Sequence, residues 1–272
     1  MNSEVKVKLL VCAHKAGTFL NDEHYMPIQV GKALSAADLH IQGDDTGENI
    51  SRKNPHYCEL TALYWAWKNL KKTDYIGLCH YRRYFDFTPG LYRERYIIRT
   101  GQLGKSQRLP VLKKLFRKYD IILPIPMVFK ESVRKHYDRC HVGGDLEVLR
   151  EVIGELTPDY LEAFDAVINQ NNKLAGYNMF LTGWDHFNRY CEWLFPVLSE
   201  LEKRIDISDD PYQSRIFGFM GERLLNVYCR RHRLKVKYYP IALMDDEITE
   251  ENGVWHYWWT RMKYNAIFHL KK

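Results

Sequence analysis

His80, Arg82 and Arg83 stand directly behind the short apolar run 75–79, interleaved with Tyr81, Tyr84 and Phe85. An imidazole and two guanidiniums this close together point to an anion, above all phosphate, because the planar fork of arginine grips two oxygens at once. A second basic pair, His14 and Lys15, follows the apolar run that ends at Cys12. In an open α/β sheet the carboxyl ends of the strands form the ligand crevice, so basic groups at two such ends predict one anion site. The competing reading is an edge strand whose arginines are paired with surface carboxylates, an arrangement that contributes little.

The elements that must position these groups are legible. Residues 5–12 alternate and then run apolar, as a first central strand does. Asn54 suits an N-cap and Pro55 a first helical residue, after which Leu60, Leu63, Tyr64, Trp67 and Leu70 share one face. Lys68, Lys71 and Lys72 close that helix, where cations suit its dipole. Residues 119–124 form a short buried strand, helical patterns cover 145–153 and 158–169, and 176–182 reads as a strand. A helix from Asp185 is expected to kink or restart at Pro196, and another runs from Pro211 to about Arg231 before a strand at 234–243. This order predicts one α/β domain over residues 1–272: three layers around a mainly parallel central sheet, with helical insertions. Trp255, Trp258 and Trp259 in the tail fit either a packed arm or an interfacial patch.

With 46 % hydrophobic and 14 % aromatic residues over 272 positions, the chain can bury a full core, which excludes a disordered protein. The net charge of +6 favours acidic partners such as nucleotides or lipid phosphates. No apolar run approaches the roughly 18 residues of a membrane span, and the start of the chain reads as a strand and not as a signal peptide, so a cytoplasmic location is expected. The six cysteines include no Cys-x-x-Cys pair and are expected to be reduced. His136, Cys140 and His141 lack a second ligand pair at zinc spacing. Residues 91–118 are rich in arginine and lysine and read as a basic peripheral insertion, either lying against an anionic membrane surface or simply solvated.

Dinucleotide and phosphate-loop glycine patterns, a nucleophile elbow and an Asp-x-Asp triplet are all missing from the sequence. The stretch 43–51 (Gly-Asp-Asp-Thr-Gly-Glu-Asn-Ile-Ser), the run 54–65 opening Asn-Pro-His-Tyr-Cys-Glu, the element 76–85 with its His-Tyr-Arg-Arg-Tyr-Phe, the triplet 178–180 (Asn-Met-Phe) and the pattern 215–224 (Arg-x-x-Gly-Phe-x-x-Glu-Arg-Leu) together resemble a bacterial glycosyltransferase family. That family was long filed as a domain of unknown function in capsule and O-antigen gene clusters. The likeness spans nearly the whole chain.

The resemblance implies a GT-A-like fold and transfer from a UDP-sugar, galactofuranose in characterised relatives, with inversion. The acceptor would be a growing surface polysaccharide or a polyprenyl-diphosphate-linked glycan at the inner face of the cytoplasmic membrane, with no nucleic-acid partner. Laid on that fold, His14, Lys15, Asn49, His80, Arg82, Arg83, Asn178 and Arg215 become the donor and diphosphate residues. Arg82, assisted by Arg83 or His80, is expected to neutralise the leaving diphosphate with no metal and no cofactor. The base is expected to be Asp210, at the start of a helix after strand 176–182, or Glu222 within the 215–224 signature. The alternative from another class is a non-catalytic module that uses the basic face on phosphorylated lipid or nucleic acid. If residues 91–118 contact a membrane, charge reversal of Lys113, Lys114, Arg117 and Lys118 weakens co-sedimentation with anionic vesicles, most visibly at low salt; unchanged binding assigns them to a solvated face.

Overall fold

The computed structural model describes residues 5–88, 95–104 and 106–245. The tail tryptophans and parts of the basic stretch, residues 91–94 and 105, lie outside them.

Val7–Ala13 (β1) lies at the heart of the sheet. Leu10 and Cys12 face one core and Val7, Leu9 and Val11 the other, the two-residue period of a strand buried on both faces. Tyr25–Gln29 (β2) pairs with β1 in parallel, and Gln42–Gly43 (β3) extends that edge. Asn54–Tyr57 (α1) and Leu60–Asn69 (α2) lead back to Tyr75–His80 (β4), parallel to β1 on its other side. The chain then reverses into Arg83–Phe85 (β5) and continues through Arg95–Ile98 (β6), Leu112–Leu115 (α3) and Ile121–Pro124 (β7). Met127–Val128 (β8), the helices Val133–Cys140 (α4), Asp145–Leu156 (α5) and Leu161–Phe164 (α6), and Lys173–Leu174 (β9) follow, β8 and β9 forming a small antiparallel pair. Phe180–Gly183 (β10) inserts antiparallel between β4 and β7. Trp184–Glu202 (α7) and Ile216–Arg231 (α8) precede Val236–Tyr239 (β11), parallel to β7, and Ile241–Met244 (β12), which joins β5 and β6. The resulting order, β11-β7-β10-β4-β1-β2-β3, is mainly parallel.

Helices α2, α5, α7 and α8 cover one face of this sheet. Across it, Tyr84, Phe85, Phe87, Leu112 and Ile241 build a smaller, aromatic core. Fully enclosed β1 side chains such as Leu9 and Leu10, each 0 % exposed, contribute on the order of 1.5–3 kcal/mol apiece. Exposed ion pairs such as Lys72–Asp185 are screened by solvent and contribute little, so two-sided burial of the sheet dominates.

Three local expectations are corrected, and the kink or restart expected at Pro196 is narrowed by excluding the restart. The helix from Asn54 is not continuous: Cys58 takes a left-handed φ of 51° and separates α1 from α2. The Asn54 amide, donating to the Cys58 carbonyl at 2.7 Å, holds that break. Helix α7 runs on through Pro196 without restarting. The strand expected over 176–182 begins only at Phe180, and that over 234–243 divides at Pro240. The basic stretch is tied to the body through β6, buried Leu112 and Phe116, whose ring stacks on Tyr75 at 4.5 Å, while Lys113, Lys114, Arg117 and Lys118 remain exposed.

Gly77 in β4 sits where an added Cβ would lie 2.4 Å from the Phe180 carbonyl oxygen. Backbone cannot swing aside as a flexible side chain does, so Gly77→Ala is expected to cost about 1–3 kcal/mol in urea denaturation. An unchanged midpoint would show that β4 and β10 have room to spare.

Candidate active site

Because β1 and β4 are parallel, with Cys12 opposite His80, their carboxyl ends open on the same edge of the sheet. β10 runs the other way, so the turn before it, residues 176–179, reaches that edge too. There a cavity of about 720 Å³ lies between the strand ends, the α1–α2 break, the β8–β9 pair, α4 and the first turns of α8.

Four basic side chains share its mouth: His14, His80, Arg83 and Arg215. His14 packs edge-on against Tyr81 at 5.3 Å. The Nε2–H of His80 donates to the Tyr177 carbonyl at 2.7 Å, which fixes its tautomer when neutral. Burial lowers the pKa of both imidazoles, and the neighbouring Arg215 lowers each further. Arg83 lies over the Tyr177 ring at 5.0 Å, and Arg215 donates from Nε to the Cys58 sulfur at 3.2 Å. With the imidazoles neutral at pH 7, the fixed positive charge at the mouth comes from the two arginines.

Two carboxylates enter the same cavity. Glu222 accepts the Tyr177 N–H on Oε1 at 2.7 Å, and its Oε2 lies 3.3 Å from Arg223 Nη1. Burial raises its pKa, Arg223 opposes the rise, and the charge of Glu59 adds to it. Its side chain keeps 20 % of its surface open. Glu59, at the head of α2, accepts from the Asn178 amide at 2.6 Å.

Tyr177 and Asn178, with φ of 68° and 50°, are both left-handed, a conformation that costs on the order of 1–3 kcal/mol for each non-glycine residue. It persists because four bonds determine it: His80 on the Tyr177 carbonyl, the Tyr177 N–H on Glu222, and the Asn178 amide on Glu59 and on the Gly218 carbonyl at 3.0 Å. Helix α8 comes close enough because its facing residues are glycines. A Cβ at Gly221 would lie 2.9 Å from Asn178 Oδ1, and one at Gly218 would lie 3.0 Å from the Cys58 sulfur.

The residues singled out from the sequence are sorted by this geometry. His14, His80, Arg83, Arg215 and Glu222 line the cavity together. Lys15 is exposed beside them. Arg82 turns away, donating to the Met244 carbonyl at 3.2 Å and facing Asp245 at 3.5 Å; it lies in the turn between β4 and β5, whereas Arg83 begins β5. Asn49 is used up inside its own loop, on Asp45, Gly47 and Ser51. Asn178 is buried scaffolding beneath the site. Asp210 caps the turn before α8, accepting from the Tyr212 and Gln213 N–H groups at 3.0 and 2.8 Å. Glu59, Arg223, His136 and His141 also line the cavity; Glu59 and Arg223 fall within the stretches 54–65 and 215–224 with no role of their own assigned there, and the two histidines within a triplet weighed only as a metal site. Among the described residues no three His, Cys, Asp or Glu side chains gather as metal ligands, and no helix is long and apolar enough to cross a membrane.

Replacing Asn178 separates the two things it supplies. Asn178→Ala loses both hydrogen bonds and keeps the unfavourable φ, whereas Asn178→Gly loses the bonds but relieves the backbone. Both variants are expected to be destabilised, alanine by about 1 kcal/mol more in chemical denaturation; equal losses would mean that the turn carries no strain.

The chain is similar to a solved structure of WbbM, a bifunctional glycosyltransferase in its apo form, with 32 % identity and a TM-score of 0.81 over 89 % of this chain. It spans 46 % of the WbbM chain, about half its length. A search of curated proteins gives no match. The mixed α/β architecture around a mainly parallel sheet is therefore GT-A-like, as the sequence resemblance implies. A family profile matches residues 8–233, most of the described fold and every residue of the cavity, and on that match the chain belongs to the family described as "Domain of unknown function (DUF4422)".

Proposed function

We propose that the protein is a glycosyltransferase that moves a sugar from a UDP-sugar donor, galactofuranose with inversion, to a growing surface-polysaccharide or polyprenyl-diphosphate-linked glycan. The observation that carries this is a carboxylate with a raised pKa, Glu222, in the same cavity as the cationic mouth of His14, His80, Arg83 and Arg215. The likeness to WbbM, a bifunctional glycosyltransferase, supports glycosyl transfer as the reaction class.

In this reading Glu222 takes the proton of an acceptor hydroxyl as its oxygen bonds to the anomeric carbon. The bond from that carbon to the diphosphate breaks, and its electron pair leaves on the phosphate oxygen. Arg83 and Arg215 face the charge that develops there, with His14 and His80 as hydrogen-bonding partners. Arg83 takes the role expected of Arg82, because Arg82 is engaged with β12 and Asp245. Asp210 is the weaker candidate for the base, since its carboxylate already serves two backbone amides. The arginines supply the countercharge, so no metal is required. The enzyme works in the cytoplasm, at the inner membrane face, where exposed Lys113, Lys114, Arg117 and Lys118 meet anionic lipid.

The base must be ionised to act. A raised pKa therefore places the acid limb of the pH–rate profile above the ordinary glutamate value of about 4.3, with activity rising as pH passes upward through it. Glu222→Gln is expected to cut turnover by a factor on the order of 100 or more and to abolish that limb, while UDP binding persists. The assay is a screen of UDP-galactofuranose, UDP-galactose and UDP-glucose in EDTA on a lipid-linked acceptor, with Arg83→Ala more damaging than Arg82→Ala. Full activity of Glu222→Gln would remove it as the base, and activity restored only by manganese would overturn metal independence.

A further inference from the structure

We propose that the half of the cavity beneath α4 is a second oxyanion site, which binds a phosphate or carboxylate group carried by the acceptor. This deepens the transferase reading and rests on it for the assignment of the other half to the donor.

Arg223 lines this half with 2 % of its surface exposed. Its Nη1 donates to the Phe219 carbonyl at 2.8 Å and lies 3.3 Å from Glu222, and its guanidinium stands 4.8 Å from the Tyr137 ring. Its Nε has no hydrogen-bond partner among the described residues. The Nδ1 of His136, on the same wall, is likewise buried without one. His136 stacks on Phe129 at 3.8 Å, and His141 packs on Phe219 at 4.1 Å and on Tyr212 at 5.8 Å. The lining is therefore an aromatic wall, of the shape that receives a sugar face, with an under-compensated cation at its base.

The charge balance makes an anion the fitting occupant. A buried guanidinium is costly unless a carboxylate or phosphate compensates it, and among the described residues Glu222 is the carboxylate paired with Arg223. Glu222 also receives the Tyr177 N–H and, as base, would take up a proton. At that moment Arg223 would lose its countercharge. An oxyanion on the acceptor restores it, and it accepts hydrogen bonds from a guanidinium that has a donor to spare. Arg83, at the start of β5, and Arg215, directly before α8, are side chains distinct from Arg223, so a donor diphosphate held on them leaves Arg223 available.

The test titrates the full-length protein by calorimetry, first with UDP and then, at saturating UDP, with inorganic phosphate, glucuronate and glucose. Phosphate or glucuronate binding alongside UDP, with glucose silent, is the expected result. Phosphate alone indicates a phosphorylated acceptor and glucuronate alone a uronate-bearing one. Arg223→Gln or, should that variant not fold, His136→Phe, which keeps the stacked ring, is expected to weaken the anion at least about tenfold and to leave UDP binding intact. Neither anion binding, or either one displacing UDP mole for mole, overturns the second site. If UDP itself fails to bind, the donor reading fails separately. The anion titration on the free protein then decides: loss in Arg223→Gln or His136→Phe but not in Arg215→Gln supports the site, and the reverse pattern overturns it.

Discussion

One pair of residues, the left-handed Tyr177–Asn178 turn, ties the site to the fold. The Tyr177 carbonyl receives the His80 imidazole and the Tyr177 amide is held by Glu222, so the end of β4 and the second turn of α8 are fixed on opposite ends of one residue. Asn178 then binds Glu59 at the head of α2 and the Gly218 carbonyl in α8. Backbone strain of a few kcal/mol persists only where the surroundings over-determine it, and here four bonds from three elements do so. His80 and Glu222 cannot shift independently of each other.

Close approach is what lets these elements meet. Gly218 and Gly221 bring α8 onto the α1–α2 break, and the break at Cys58 sends Glu59 toward the cavity instead of along a continuing helix. Electrostatics follow from the same crowding. Burial raises the Glu222 carboxyl and lowers the His80 and His14 imidazoles, while Arg223 and Glu59 act on Glu222 in opposite senses. The site thus holds a carboxylate short of solvation next to arginines that stay charged, a poise that chemistry uses and stability alone does not require.

Much of the fold is legible along the chain. The alternation in β1, the apolar run of β4 and the stripes of α2 and α8 are local patterns, and each fell in the expected element. Boundaries were less legible where a tertiary contact decides them. Nothing near Cys58 signals a helix break until Asn54 folds back onto its carbonyl and Gly218 packs on its sulfur. The late start of β10 likewise depends on bonds from His80, Glu59 and Glu222, all distant in sequence.

The sequence by itself determined the chemistry available: basic groups behind two strands, an acid in the 215–224 signature, and a core large enough to hold them in one α/β domain. Only the tertiary structure decided which of these groups meet. Arg82 and Arg83 are adjacent and alike, yet the tight turn between β4 and β5 leaves one facing Asp245 and the other over Tyr177. Asp210 and Glu222 are both plausible acids, yet one caps a turn in solvent and the other lies in the cavity. Glu59 and Arg223 belong to recognisable stretches, yet what brings them to the site is a helix break and a buried helix face. Residue type is written in the chain, but direction and burial arise from contacts between segments far apart in it, and those contacts set both partner and pKa.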